Sequence, residues 1–289
     1  MNLLAQTVIF ASVSMVFYSL IDIIAKTRVK KEDANSVAFT AFAVSAVFSL
    51  ICIVIFEPGI PANLASITTQ AAILISAAFL AYGCNVYYNG MRNGRVSVLS
   101  PIAGIQGPIA AVLAVVFFGE SVSATLVGAI ILAGLGTFLV GFGNASMKNF
   151  HKIFNSVELR DGLVSSVAFG INLFLTAVVV KSIGIFWEIL AVDIFALIFL
   201  MAFFQYRFSL PRGAFPWGGM GIAVSEWLGD ASYNAAIATG LTSLAAPIAS
   251  ASPAISVAIG IFWLKEKIKP VQMAGILLVI VALVIASAY

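Results

Sequence analysis

Glu226, Asp230 and Tyr233 are spaced i, i+4, i+7 in a stretch that reads Ser-Glu-Trp-Leu-Gly-Asp-Ala-Ser-Tyr-Asn from Ser225. On a helix these three share one face. Trp227, Asp230 and Asn234 form an overlapping stripe. Acid, aromatic ring and amide together suit a cation or a zwitterion, because the carboxylate pairs with the positive group and aromatic faces attract it. Glu226 or Asp230 could instead carry a proton and couple its movement to that of a solute. The plainer alternative is that these groups satisfy one another between helices.

A second face has the same character. Tyr82, Asn85, Tyr88 and Asn89 recur at helical spacing, and the Tyr88-Asn89 pair returns as Tyr233-Asn234. Tyr18 shares a stripe with Ser14 and Asp22. Phe169 and Asn172, with Thr176, form a weaker version of that face. Gln106 and Ser250 are the polar groups in two proline-containing stretches, which read as the lining of a gate: Pro101 and Pro108 in one, Pro247 and Pro253 in the other. Asp22 stands one turn before Lys26, so an i,i+4 ion pair fits it as well as a binding role. Glu188, beside Trp187 near the end of an apolar run, is expected to be solvated. Asp193 lies deeper in its run.

These residues sit in a chain that is 62% hydrophobic and 9% charged, where soluble domains carry roughly 25% charged residues. Apolar runs of about 20 residues, the length that crosses about 30 Å of hydrocarbon, recur throughout. The reading is ten spans, at about 5–25, 35–56, 70–91, 97–118, 124–143, 161–182, 185–205, 215–237, 242–264 and 270–288. Such runs are too long for barrel strands and lack strict alternation, so they are helices. The first lacks the basic start of a cleavable signal and is expected to stay in the mature protein.

The motif Tyr88-Asn89 … Pro101 … Pro108 … Phe117 … Glu120 returns about 145 residues later as Tyr233-Asn234 … Pro247 … Pro253 … Phe262 … Glu266. Two halves follow: 1–145, a connecting loop at 146–160, and 161–289. Phe150, Ile153 and Phe154 with Lys148 and Lys152 make that loop either a short surface helix or a plain linker. Five spans per half would invert the second copy. The expected fold class is thus an all-α integral membrane protein with ten transmembrane helices in two inverted five-helix repeats. Inverted repeats recur in secondary transporters that work by alternating access. All 15 basic residues except Lys181 fall in odd-numbered loops. Basic loops mark the cytoplasmic side, which places the chain in the cell membrane with both termini extracytoplasmic.

Composition also excludes functions. Cys52 and Cys84 lie inside spans and make neither a disulfide framework nor a metal site. His151 is the sole histidine, and no zinc-hydrolase or nucleophile-elbow motif occurs. No cofactor or metal is expected, and the net charge of +3 calls for no nucleic acid. The expected partners are a small-molecule substrate, protons and the lipid bilayer, with the chain a monomer or dimer. Phosphorylated or nucleotide-linked substrates would need Lys or Arg in the spans, so the expected solute is an amino acid, an amine or an amphipathic metabolite or drug. Two other classes stay open: an intramembrane enzyme such as an acid-dyad protease using Asp193 and Asp230, and a non-transporting scaffold.

Two segments carry a resemblance. Ser100-Pro101-Ile102-Ala103 through Phe117-Phe118-Gly119-Glu120-Ser121, and Ala246-Pro247-Ile248-Ala249 through Leu264-Lys265-Glu266-Lys267, resemble the fourth and ninth spans of the drug/metabolite transporter superfamily, in its ten-span EamA-type family. The likeness covers nearly the whole chain. It implies a basket of helices in which spans 1, 3, 4, 6, 8 and 9 line a central cavity. Efflux is the commoner direction in that family. This sequence departs from it twice. The loop at 57–63 lacks the basic residues of many members, and Asp193 stands where an arginine is common.

Overall fold

The computed structural model describes residues 3–30, 32–120, 156–203, 217–240 and 242–287, with scattered positions between 124 and 139. Helix α1 spans Leu3–Arg28 and α2 spans Ala34–Phe56. A 3-10 turn at Ala62–Ala65 leads into α3, Ile67–Asn93. The fourth run is two helices, α4 (Val96–Ala103) and α5 (Gln106–Phe118). Then come α6 (Val157–Ile183), α7 (Ile185–Phe203) and α8 (Trp217–Thr239). The ninth run is again two, α9 (Thr242–Ala249) and α10 (Pro253–Phe262), followed by α11 (Pro270–Ser287). Helix boundaries follow local chemistry. Asp33 caps α2 by accepting from Asn35 N at 3.0 Å, and Ser156 caps α6 by accepting from Leu159 N at 3.3 Å. Gly119 ends α5 at φ +67 and Gly184 ends α6 at φ +95, conformations that cost glycine little.

Ten spanning helices in two inverted five-helix repeats are not what the structure shows. Among the described residues, seven helical segments are long and apolar enough to cross a membrane: 5–28, 34–56, 67–93, 96–118, 157–183, 185–203 and 242–262. The remaining expected spans differ for separate reasons. Helix α8 carries Glu226, Asp230, Asn234 and two serines, Ser225 and Ser232, so it is less apolar than a simple span. Helix α11 is apolar along its length, but only Pro270–Ala282 of it is described without a gap, a stretch too short to count as a span. The run at 124–143, most of the connecting loop at 146–160 and His151 lie outside the described residues. Prolines and glycines break two of the seven, because an interior proline removes a helical donor and clashes with the preceding turn.

Helix α1 packs most closely on α8, α3 on α6, and α2 on α7. Small residues permit this: Ala25, Ala38, Ala41, Ala77 and Ala81 are fully buried. Backbones approach closely where side chains are small. The opposite face of α2 presents Val47, Leu50 and Val54, each more than half exposed, a surface suited to hydrocarbon.

The two ends of the molecule are chemically distinct. At one end Lys26 Nζ donates to Met91 O at 2.6 Å and to Gly94 O. There Arg95 pairs with Glu158 at 3.4 Å and donates to Lys267 O at 2.9 Å. At the other end Asn63 Nδ2 donates to Ser182 O at 3.4 Å, and Lys181 lies 4.3 Å from the centre of the Phe118 ring. The described basic clusters thus gather at the first end.

Candidate functional site

Three carboxylates hold helix beginnings. Glu120 accepts from Thr242 N at 3.2 Å and Ser243 N at 2.8 Å, where α9 starts. Glu266 accepts from Val96 N at 3.0 Å and Ser97 N at 2.9 Å, where α4 starts, and also from the Ser97 hydroxyl. Glu57 accepts from Ile185 N at 3.0 Å, Phe186 N at 3.1 Å and Trp187 N at 3.4 Å, at the start of α7. The first N–H groups of a helix have no intrahelical acceptor and carry partial positive charge, so an anion belongs there. Glu120 follows α5 and holds α9, while Glu266 follows α10 and holds α4. Each broken pair therefore anchors the other, and at opposite ends of the molecule.

The breaks open onto a cavity of about 110 Å³ between α1, α3, α4, α6, α8 and the start of α10. Gly107 brings the two broken pairs together: a Cβ there would lie 2.7 Å from Ala246 O and from Ser250 Cβ. Non-helical backbone inside a membrane protein is tolerated where it borders a cavity. Ala103, Gly104, Ser252 and Pro253, which form the breaks, line this one.

Its polar groups are mainly carboxyls and phenols. Tyr18 Oη donates to Asp230 Oδ1 at 2.8 Å. The ring reaches that position because residue 229 is glycine, where a Cβ would stand 2.7 Å from Tyr18 Cε1. Glu226 is buried, and its Oε2 has no hydrogen-bond partner. Tyr88 is buried on α3, and Phe169 packs on Gly83 from α6, edge-on to Tyr87. Asn172 Nδ2 donates to Ser76 Oγ at 2.9 Å. Among the described lining residues there is no Lys, Arg or His.

A smaller cavity, about 30 Å³, adjoins the first and shares Tyr18, Asn172 and Asp230 with it. Glu188, Asp193, Tyr233 and Asn234 also line it. Tyr233 Oη donates to Leu173 O at 3.2 Å, and Asn234 Nδ2 donates to Glu188 Oε2 at 2.7 Å.

The twelve residues singled out from sequence therefore divide. Tyr18, Tyr88, Gln106, Phe169, Asn172, Glu226 and Asp230 line the larger cavity, and Tyr233 and Asn234 the smaller. Three face elsewhere. Asn85 Nδ2 donates to Asn35 Oδ1 at 2.6 Å, tying α3 to α2. Trp227 Nε1 donates to Ser49 Oγ at 3.0 Å and its ring stacks on Phe186. Tyr82 is 45% exposed on the outer side of α3. Asn89 turns back to Asn85 O at 2.8 Å. The repeated Tyr-Asn pairs thus do not meet in one chamber.

Asp22, for which the sequence left an ion pair and a binding role equally open, is central. It is buried, and it accepts from Tyr87 Oη at 2.8 Å, Ser100 Oγ at 2.5 Å and Ser256 Oγ at 2.7 Å. One carboxylate thereby joins α1, α3, α4 and α10 beside the cavity. The expected pair with Lys26 does not form, because Lys26 goes to the carbonyls at the end of α3. Glu188, expected in solvent, is buried at 4% exposure. The serine and tyrosine partners of Asp22 are the signal that the sequence held. Ser100 and Ser256 stand within a turn or so of the breaks and Tyr87 next to the Tyr88-Asn89 pair, but no spacing links them in sequence.

A multi-pass membrane protein with broken helices around an internal polar site has the arrangement that secondary transporters use. The model of the EamA-like transporter family matches residues 5–142 and again residues 162–288. The chain belongs to that family, one of transporters and not of enzymes. No curated protein matches it. Among solved structures, one titled "Crystal structure of protein" is similar at a TM-score of 0.65 and 11% identity, over 98% of this chain and 97% of its own. That likeness extends to the fold alone.

Proposed function

We propose that the chain is a secondary transporter for a small organic solute bearing a positive charge, an amine or a zwitterionic amino acid. The observation that carries this is the larger cavity, where Asp22, Glu226 and Asp230 gather among aromatic rings with no basic lining residue. Glu226 Oε2, buried and unpartnered, is the natural acceptor for an ammonium. A buried anion left unpaired is costly, and a cation relieves that cost. Phosphate esters and other anions have no counterpart there. Size narrows the class further. About 110 Å³ is well below the roughly 300–1,000 Å³ that encloses drug-sized ligands, so a few heavy atoms fit better than an amphipathic drug.

Transport would proceed by exposing the cavity to each end of the molecule in turn. The breaks at Gly104 and at 250–252 supply the yielding points, and the carboxylate caps at opposite ends supply closures. The end that gathers Lys26, Arg95 and Lys267 would be cytoplasmic.

Ligand binding stabilises a native state by mass action, about 2.7 kcal/mol at a hundred times Kd. A thermal-shift screen with amino acids, primary amines, quaternary ammonium compounds and phosphate esters therefore tests the charge class. Stabilisation by a cationic or zwitterionic compound, lost in Asp230→Asn and Glu226→Gln, is expected. Stabilisation by phosphate esters alone would reverse the charge assignment. Failure of the stabilising compound to exchange in proteoliposomes would remove transport.

A further inference from the structure

We propose that the smaller cavity is a proton site, with Glu188 as its acceptor and Asp230 as its link to the solute. The proposal rests on the transport reading above and adds the coupling ion to it. Three observations lead there. First, the cavity is bordered by acids, and its wall includes Asn234, whose Oδ1 is buried without a donor, and Asp193, which the Ser45 hydroxyl of α2 faces. Asp193 is 3% exposed and Asn234 1%. The amide oxygen left without a donor calls for something that brings hydrogen. Second, the volume of about 30 Å³ takes one water or hydronium, since a water needs roughly 10–15 Å³ by this measure. It does not take an organic solute. Among the described residues no acid, cysteine or histidine group has the geometry of a metal site.

Third, the partners of Glu188 can serve either protonation state. Thr176 Oγ1 donates to Oε1 at 2.9 Å, and Asn234 Nδ2 to Oε2 at 2.7 Å. A hydroxyl can turn from donor to acceptor, and the Asn234 amide carries its unpartnered oxygen beside its nitrogen. Glu57, Glu120 and Glu266 differ, because helix-start N–H groups, which only donate, meet both oxygens of each. The groups facing the acids from each packed helix are neutral or acidic. They are Tyr18 from α1, Ser45 from α2, Cys84 from α3, Thr176 from α6, and Glu226, Asp230, Tyr233 and Asn234 from α8. The nearest cation by sequence, Lys181, lies over the Phe118 ring.

The balance is simple. One proton from water converts Glu188 carboxylate to the acid, whose O–H then donates to Thr176 Oγ1 or to the Asn234 amide oxygen. On release it passes to Asp230, which borders both cavities, and from there to water in the larger one. An ammonium arriving at Asp230 favours the carboxylate there and so opposes that transfer. Proton and solute thus compete at a shared residue.

The test uses the full chain. Infrared spectra of the purified protein are recorded against pH, without solute. A protonated-carboxyl band that titrates in the wild type and is lost in Glu188→Gln is expected, with its midpoint moved in Thr176→Val. An unchanged titration in Glu188→Gln overturns the proposal. So does a change of the band with sodium at fixed pH, which would make the site one for a metal cation. The Thr176→Val arm stands if Glu188→Gln does not fold, and an unmoved midpoint there counts against Glu188. In proteoliposomes, Glu188→Gln should lose the accumulation of solute that a pH gradient drives, while the solute still raises its Tm. Wild-type accumulation that ignores the gradient ends the coupling but leaves transport standing. If the wild type moves no compound at all, the transport reading falls and the infrared titration still decides on Glu188.

Discussion

Single side chains set the chemistry of the larger cavity, and Asp22 shows how. Its three donors are hydroxyls from three different helices. Deleting the carboxylate takes that acceptor from all three, and only Ser256 keeps a second one, Ser252 O at 3.3 Å; each group left unsatisfied costs roughly 1–3 kcal/mol. Asp22→Ala should therefore lower Tm more than Tyr82→Ala at an exposed position, and differential scanning fluorimetry of the two variants checks it. Gly229→Ala makes a different point. Its Cβ would stand 2.7 Å from the Tyr18 ring, and overpacking of this kind costs about 1–3 kcal/mol. The ring must move and the bond to Asp230 must lengthen. Gly229→Ala and Tyr18→Phe should then weaken the same ligand's thermal shift to a similar degree. If Gly229→Ala binds as the wild type does, the tyrosine does not orient Asp230.

Helices are held to one another by their ends. Glu120 and Glu266 each satisfy a helix start in the other half of the chain. Loss of an N-terminal cap typically costs about 0.5–2 kcal/mol. Glu266→Ala should accelerate amide exchange at Val96 and Ser97, and Glu120→Ala at Thr242 and Ser243, with each variant leaving the opposite end as it was. Exchange that rises at both ends in either variant would mean the two caps act as one unit. Gly107 is the other control at this scale. A methyl group on its Cα would stand 2.7 Å from both Ala246 O and Ser250 Cβ. Gly107→Ala is therefore expected to force α5 from α9 and to abolish solute exchange even where the protein still inserts. The helical runs themselves were legible, with most ends within a few residues of those expected. The breaks were legible only as prolines, because a proline shows where a helix can yield and not whether its neighbours make it do so. Among the described residues the count of spans falls short in part for a related reason: α8 spends its polar residues on the cavities, which makes it less apolar than the other long helices.

The whole molecule has two unlike ends, and the proposed orientation in the membrane rests on that difference. Lys26, Arg95 and Lys267 come together through contacts spanning 172 residues of sequence, so the basic bias is a property of a face as well as of loops. A single cysteine in place of Lys267 should be labelled by an impermeant reagent only after the cells are opened, and one in place of Asn63 in intact cells. The reverse pattern would invert the orientation.

Composition alone decided the solvent, since 62% hydrophobic and 9% charged residues leave no way to keep such a surface dry in water. Periodicity placed Glu226 and Asp230 on one face, because a helix turns by the same angle wherever it lies. Spacing could go no further. Whether Asp22 meets Lys26 or three hydroxyls, and whether Glu188 meets solvent or Asn234, depends on which helices become neighbours. So does the parting of the two Tyr-Asn pairs, identical in sequence, of which one tyrosine lines the larger cavity and the other the smaller. Local sequence determines the direction in which a side chain leaves its helix, and only the packing of the other helices determines what it finds there.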